Sequence, residues 1–165
     1  MITRDYKTVS QTIASLCEGE TDAVAKMATI SCELFQNLEG FDWVGFYRVV
    51  EPGLLKIGPY QGGHGCLAIP FDKGVCGACA STLQTQIVDD VEAFPGHIAC
   101  SSSTKSEIVL PVFENGELIA VLDIDSDKPA DFNEHDKDML FLYVTFSILF
   151  SSKPISFVLI SSCHF

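Results

Sequence analysis

The chain has 165 residues, enough for one domain with a core of ordinary size, and 47% of them are hydrophobic, which separates it from disordered sequences. Ten Lys and Arg stand against 22 Asp and Glu, a net charge of −12, so phosphate backbones and anionic membrane surfaces would repel it and neither nucleic acid nor membrane is expected as a partner. Its seven cysteines are too few for a disulfide scaffold. The polar start Met1-Ile2-Thr3-Arg4-Asp5-Tyr6 has no signal-peptide core. A cytoplasmic location is therefore expected, where thiols stay reduced and clustered cysteines point to catalysis, redox sensing or metal.

Residues 5–17 have helical spacing, with Tyr6, Val9, Ile13 and Leu16 on one face. Residues 21–38 repeat it with Val24, Met27, Ile30, Leu34, Phe35 and Leu38, and Gly40 can follow the C-terminus. Phe41 to Val50 is aromatic and β-branched, Glu51-Pro52-Gly53 is a turn signal, and Leu54 to Gly58 reads as the return strand. Residues 59–66, with Pro59, three glycines and His64, read as loop. A short helix is expected over Val75 to Leu83, a short strand over Gln86 to Val88, and loop over Asp89 to Ser103. Glu107 to Phe113 and Leu118 to Asp125 flank Asn115-Gly116, a strong hairpin signal. Phe132 to Phe150 reads as a closing helix. This order predicts an α+β fold with an antiparallel sheet and helices on at least one face. Residues 1–150 are read as one domain and 151–165 as an atypical apolar tail; the apolar runs Met139 to Phe150 and Ile155 to Ile160, split by Ser151-Ser152-Lys153-Pro154, are each too short to span a bilayer.

Cys17 and Cys32 fall within helical patterns and are read as small buried hydrophobes. Cys66, Cys76, Cys79 and Cys100 fall in the loop-rich middle, where sites concentrate. Cys76-Gly77-Ala78-Cys79 spells C-x-x-C, but the flanks show no βαβ unit, as a thioredoxin-type motif requires. A zinc site needs four ligands, which these cysteines with His64 or His97 could supply, yet no second C-x-x-C is present. No metal is assigned, and a chance pair on a short helix is the simpler reading.

On the strand Ile119 to Asp125, a period of two places Val121, Asp123 and Asp125 on one face and Leu122 and Ile124 on the other. Both faces begin apolar, so the strand is read as central. Its two aspartates either emerge into solvent or line a pocket with raised pKa values. A plain two-residue turn at Asn115-Gly116 pairs Glu107 with Ile124 and turns Glu107 to the opposite face. Pro111 implies an edge or a bulge, and a bulge would bring Glu107 onto the aspartates' face. The sequence leaves both registers open.

Cys66, Gly74-Val75-Cys76-Gly77, His97-Ile98-Ala99-Cys100, Ser106-Glu107-Ile108-Val109-Leu110-Pro111-Val112 and Val121-Leu122-Asp123-Ile124-Asp125-Ser126 occur in that order. With Phe41-Asp42-Trp43-Val44-Gly45-Phe46-Tyr47 and Gly58-Pro59-Tyr60-Gln61-Gly62, the chain resembles the free methionine-(R)-sulfoxide reductases, single GAF domains, from about residue 5 to about residue 140. The resemblance implies a GAF fold, a homodimer, and reduction of free methionine R-sulfoxide without a cofactor. It implies Cys100 as catalytic cysteine, Cys66 as resolving cysteine and Cys76 as an alternative resolver. Glu107, Asp123 and Asp125 become the substrate-binding carboxylates, and Trp43 with Tyr47 the aromatic wall near the substrate methyl. Thioredoxin or a similar dithiol is the implied reductant, and backbone N–H groups of the 97–103 loop are available to the substrate carboxylate. Cys79 lies outside the family pattern. Carboxylates near Cys100 should disfavour its thiolate, and Lys105 is a possible offset. The competing readings are a non-catalytic GAF sensor of small molecules and a zinc-stabilised interaction module.

Overall fold

A computed structural model of the chain describes residues 4–98 and 100–149, with side chains as far as Tyr143 in the last helix. Helices α1 (Tyr6–Leu16) and α2 (Ala23–Asn37) precede strands β1 (Trp43–Glu51), β2 (Leu54–Gln61) and β3 (Ala68–Pro70). Helix α3 (Gly74–Thr82), strand β4 (Gln86–Val88), a 3₁₀ turn (Val91–Ala93), strands β5 (Ser106–Glu114) and β6 (Glu117–Ser126) and helix α4 (Glu134–Leu149) follow. The six strands form one antiparallel sheet in the order β3-β2-β1-β6-β5-β4. The expected α+β class is the one observed.

Local chemistry sets the helix starts. Asp5 accepts the Thr8 N–H at 3.1 Å and so caps α1. Asp22 accepts from Val24 and Ala25 at 2.8 and 2.9 Å and caps α2. Asn133 and Asp136 form a reciprocal box at the start of α4. Asn133 Oδ1 accepts the His135 and Asp136 N–H groups, and Asp136 Oδ2 accepts the Asn133 N–H at 2.9 Å. Asp136 Oδ1 also receives Tyr6 Oη at 2.7 Å and Arg4 Nη1 at 3.0 Å, and Arg4 Nη2 pairs with Asp131 at 2.8 Å.

The period of two divides the sheet between two cores. Val44, Phe46, Ile108, Leu110, Leu122 and Ile124 face α1, α2 and α4, packing against Ile13, Ile30, Leu34 and Leu140. Trp43, Tyr47, Val109 and Val121 face the other way, against Val75, Cys76, Cys79 and Ala80 of α3. α3 lies close to β3: a Cβ on Gly77 would stand 2.6 Å from the Pro70 carbonyl oxygen.

Several expectations shift. β2 runs on past Gly58 through Pro59 and Tyr60 to Gln61, residues expected in a loop, because Tyr60 and Gln61 pair with Gly45 and Val44. β3 is a three-residue edge strand with no period to read. Leu16 is 59% exposed, since α1 buries only the stripe Tyr6, Val9, Ile13. Cys17 is buried as expected, but Cys32 is half-exposed and accepts from Gln36 Nε2. The closing helix starts at Glu134 rather than Phe132. The expected apolar tail at 151–165, with Cys163, lies outside the described residues. Among the described residues, no helix is long and apolar enough to cross a membrane.

Candidate active site

The register of the β5–β6 hairpin decides what the site contains. Glu114 pairs with Glu117 and Phe113 with Leu118, as a two-residue turn at Asn115-Gly116 demands. Val112 then pairs with Ala120, leaving Ile119 as the extra residue of a bulge. Every later pair is displaced by one, so Glu107 meets Asp125 and Val109 meets Asp123. The bulge settles the open register: Glu107, Asp123 and Asp125 share one face. Pro111 sits two residues beyond the last pair with β4, where β5 has become an edge and needs no second donor. On the other side of β6, Trp43 pairs with Asp125, Gly45 with Asp123 and Tyr47 with Val121, bringing the aromatic side chains to the same face.

Together these residues form a pocket between the sheet, the start of α3 and the loop before β5. Tyr47, Ile69, Gly74, Val75 and Cys76 line it with His97, Ile98, Cys100, Ser101, Thr104, Glu107, Asp123 and Asp125. Cys66 and Cys100 are joined in a disulfide, with Cα atoms 5.3 Å apart, inside the normal span. The pairing ties Cys66, from the loop after β2, to Cys100, which lines the pocket.

The acidic floor is largely buried. Glu107 is 7% exposed and Asp123 6%. One ligand atom from each of Cys76, Glu107 and Asp123 falls within 4.8 Å of the others. The Cys76 thiol donates toward Glu107 Oε1 at 4.0 Å, and Asp123 Oδ1 is buried with no hydrogen-bond partner among the described residues. Burial, then the Asp123 and Asp125 charges, hold the Glu107 carboxyl well above the usual carboxylate range. Burial pushes Asp123 up to about 6, with hydrogen bonds from Cys76 and Glu107 restraining the rise. Asp125 is raised well above its ordinary value by burial and by Asp123, Asp127 and Asp42. Burial, then Asp123 and Glu107, push the Cys76 thiol far up. A site at neutral pH thus holds a proton among these carboxyls, ready to be given.

The aromatic wall is a stack. Trp43 lies against Tyr47 (centroids 5.8 Å apart, planes at 24°) and against Tyr60 (5.4 Å, 17°). Its Nε1 donates to the Gly63 carbonyl at 3.0 Å. Tyr47 lines the pocket directly, whereas Trp43 reaches it through Tyr47. Gly45 makes the stack possible, because a Cβ there would lie 2.4 Å from the indole. Sequence reasoning gave no role to Gly45 or Tyr60; their signal was the two-residue spacing Trp43, Gly45, Tyr47 on one face. It gave none to Ser101 or Thr104 either.

Two cation and metal expectations resolve differently. Lys105 binds Glu92 at 3.1 Å out in solvent and is not part of the pocket lining, so it does not offset the acidic floor at Cys100. The four-cysteine zinc set is not assembled, since Cys66 and Cys100 are spent on each other. Cys76, Glu107 and Asp123 form a three-ligand group of mixed sulfur and oxygen, short of the four ligands of a structural zinc site. Cys79 is fully buried behind Cys76, so the C-x-x-C is a packing feature here.

Comparison with known proteins adds three findings. The GAF domain family model matches residues 21–145. The free methionine-R-sulfoxide reductase of Escherichia coli (strain K12) is 39% identical over 138 residues, covering 84% of this chain and 83% of that protein. That of Saccharomyces cerevisiae is 41% identical over 132 residues, covering 76% and 73%. The X-ray structure of free methionine-R-sulfoxide reductase from Neisseria meningitidis in complex with its substrate superposes with a TM-score of 0.82. It is 41% identical, and the match covers 87% of this chain and 86% of that one.

Proposed function

The chain belongs to the GAF-domain family of free methionine-R-sulfoxide reductases, and from that premise we propose how its residues divide the reaction. It reduces free methionine (R)-sulfoxide to methionine at the expense of two thiols. The observation that carries the assignment is the Cys66–Cys100 disulfide, whose Cys100 lines the same pocket as Glu107, Asp123 and Asp125.

Cys100 is the nucleophile. Its sulfur attacks the sulfoxide sulfur while a floor carboxyl protonates the oxygen; the hydroxyl then passes to the Cys100 sulfur as the S–O bond and the transient bond between the two sulfurs break, and methionine leaves. Glu107 suits the role of acid, because burial and its two acidic neighbours keep it protonated. Oxygen ends on Cys100 as sulfenic acid. The Cys66 thiol attacks that sulfur, water leaves, and the disulfide remains, so two thiols are oxidised for each sulfoxide reduced. Cys76 is a reserve resolver: it lines the same pocket, but burial keeps its thiol protonated. Asp123 and Asp125 take the substrate ammonium, and Tyr47 with Trp43 forms the wall at the methyl group. A peptide-bound residue has no ammonium to offer these carboxylates, and leaving them unpaired and buried is costly, which selects the free amino acid. Thioredoxin or a similar dithiol reopens the disulfide by exchange, and the working enzyme is a cytoplasmic homodimer.

Cys100→Ser and Cys66→Ser separate the roles. Cys100→Ser releases no methionine. Cys66→Ser releases about one methionine per chain, and dimedone traps the Cys100 sulfenic acid wherever Cys76 has not captured it. Sustained turnover by Cys100→Ser overturns the assignment.

A further inference from the structure

The thiol that closes the disulfide comes from a stretch of chain with little intrinsic stiffness. Gly62-Gly63-His64-Gly65-Cys66 carries three glycines in five residues, and glycine leaves the backbone its widest freedom. We propose that Trp43 and Gly65 are positioning residues for the second chemical step: the aromatic wall seats this loop and so holds the Cys66 thiol in reach of the Cys100 sulfenic acid. The inference rests on the reductase reading above and gives the wall a task besides facing the substrate methyl group.

The seat is built at three points. Trp43 Nε1 donates to the Gly63 carbonyl at 3.0 Å, and Trp43 is 6% exposed, so water competes little for that bond. Gly62, at φ +108°, passes so close that a Cβ there would stand 2.9 Å from Trp43 Cδ1 and from the Asp42 carbonyl oxygen. Gly65 lies against both rings: a Cβ there would stand 2.8 Å from Tyr47 Oη and 3.0 Å from Trp43 Cζ2. Beyond Cys66, the Leu67 carbonyl accepts the Ile57 N–H of β2 at 3.2 Å. Cys66 is thus held between a glycine pressed on the wall and a residue bonded to the sheet, and its side chain packs against the cluster that contains Trp43 and Tyr47. None of these contacts is made through the Cys66–Cys100 bond, so the same seat is available to the dithiol form.

The second step depends on such a seat. The Cys66 sulfur bonds to the Cys100 sulfur, the S–O bond of the sulfenic acid breaks, and its hydroxyl leaves as water with the Cys66 proton. The two sulfurs supply all the electrons, and no outside oxidant enters. A reacting group held in place gains a large effective concentration over a wandering one, and a misplacement of about 1 Å can cost on the order of a hundredfold. Cys76 lines the same pocket as Cys100 and competes for the sulfenic sulfur, so seating Cys66 also decides which disulfide forms.

The test follows one turnover of fully reduced protein in a Cys76→Ser background, where Cys66 is the resolver. Methionine release times the first step, and loss of the second thiol, counted in acid-quenched samples, times disulfide closure. Gly65→Ala pushes the loop off the wall. Closure is expected to slow roughly tenfold to a hundredfold more than methionine release. Dimedone should then trap a Cys100 sulfenic acid that survives much longer than in the parent. A merely structural fault would slow both steps together, so equal slowing of the two, or none, overturns the proposal. Should Gly65→Ala not fold, Trp43→Phe keeps a ring but not the donor to Gly63. Its closure should slow roughly threefold to tenfold more than its methionine release, and an unchanged ratio of the two rates overturns the proposal. Absence of methionine release from the unaltered protein instead strikes the reductase reading, and this inference with it.

Discussion

Replacing Asp123 by Asn removes a charge that the fold buries at a cost. The ordinary Asp value is 3.8 and burial lifts it to about 6. A group raised in the folded state contributes stability that is whole below 3.8 and lost as pH rises through about 6. At neutral pH the ionised side chain therefore costs on the order of 2–3 kcal/mol. Asp123→Asn should melt roughly 5 °C higher at pH 7, yet lose at least about tenfold in kcat/KM because the ammonium loses a charged partner. In the unaltered enzyme kcat/KM should fall as pH drops through about 6, when Asp123 takes up its proton, and that limb should flatten in Asp123→Asn. A variant no more stable and fully active contradicts both statements. Residue identity was legible in the sequence through the family motifs. The protonation of the floor was legible only as one of two alternatives for the aspartates, because it depends on three carboxyls meeting in one place.

The hairpin shows where reading at the scale of the element stops. Asn115-Gly116 names the turn, and β5 and β6 pair across it. The residue that shifts the register, Ile119, looks like any other apolar strand residue; only Pro111 on the facing strand hints at irregularity. Central strands such as β6 are legible because both faces are apolar, whereas β3 is three residues long and bonded only to β2. Gly45 tests the aromatic stack that β1 and β2 build. In Gly45→Ala the new Cβ would meet the indole at 2.4 Å and Tyr60 Cβ at 2.6 Å, so the rings must part. The expected cost is about 1–3 kcal/mol of stability, with shifted tryptophan emission and a raised KM. An unchanged emission spectrum and KM would contradict the role given to the stack.

The whole molecule is closed by one cation. Arg4, 3% exposed in its side chain, binds Asp131 and Asp136 and donates to the Glu39 carbonyl at 3.0 Å. Its guanidinium lies 4.8 Å from the Phe41 ring centroid and 5.4 Å from that of Phe132. Arg4, just ahead of α1, is thereby fixed to the α2–β1 turn and to the start of α4. Arg4→Ala leaves two acidic groups without their cation and should cost about 3 kcal/mol, with kcat unchanged below the lowered melting temperature. At this scale composition argued against phosphate-rich partners, and the order of elements pointed to the α+β class that is observed. The disulfide partner came from family resemblance, since spacing alone does not say which cysteines meet. The account's central claim is that Cys100 and Cys66 together reduce one free methionine (R)-sulfoxide. It is tested most directly by adding racemic free methionine sulfoxide to fully reduced protein with no other reductant, then counting methionine released and thiols lost. About one methionine and two thiols per chain, with only the R-epimer consumed, is the predicted result. Folded protein that releases no methionine and keeps all its thiols would contradict the account.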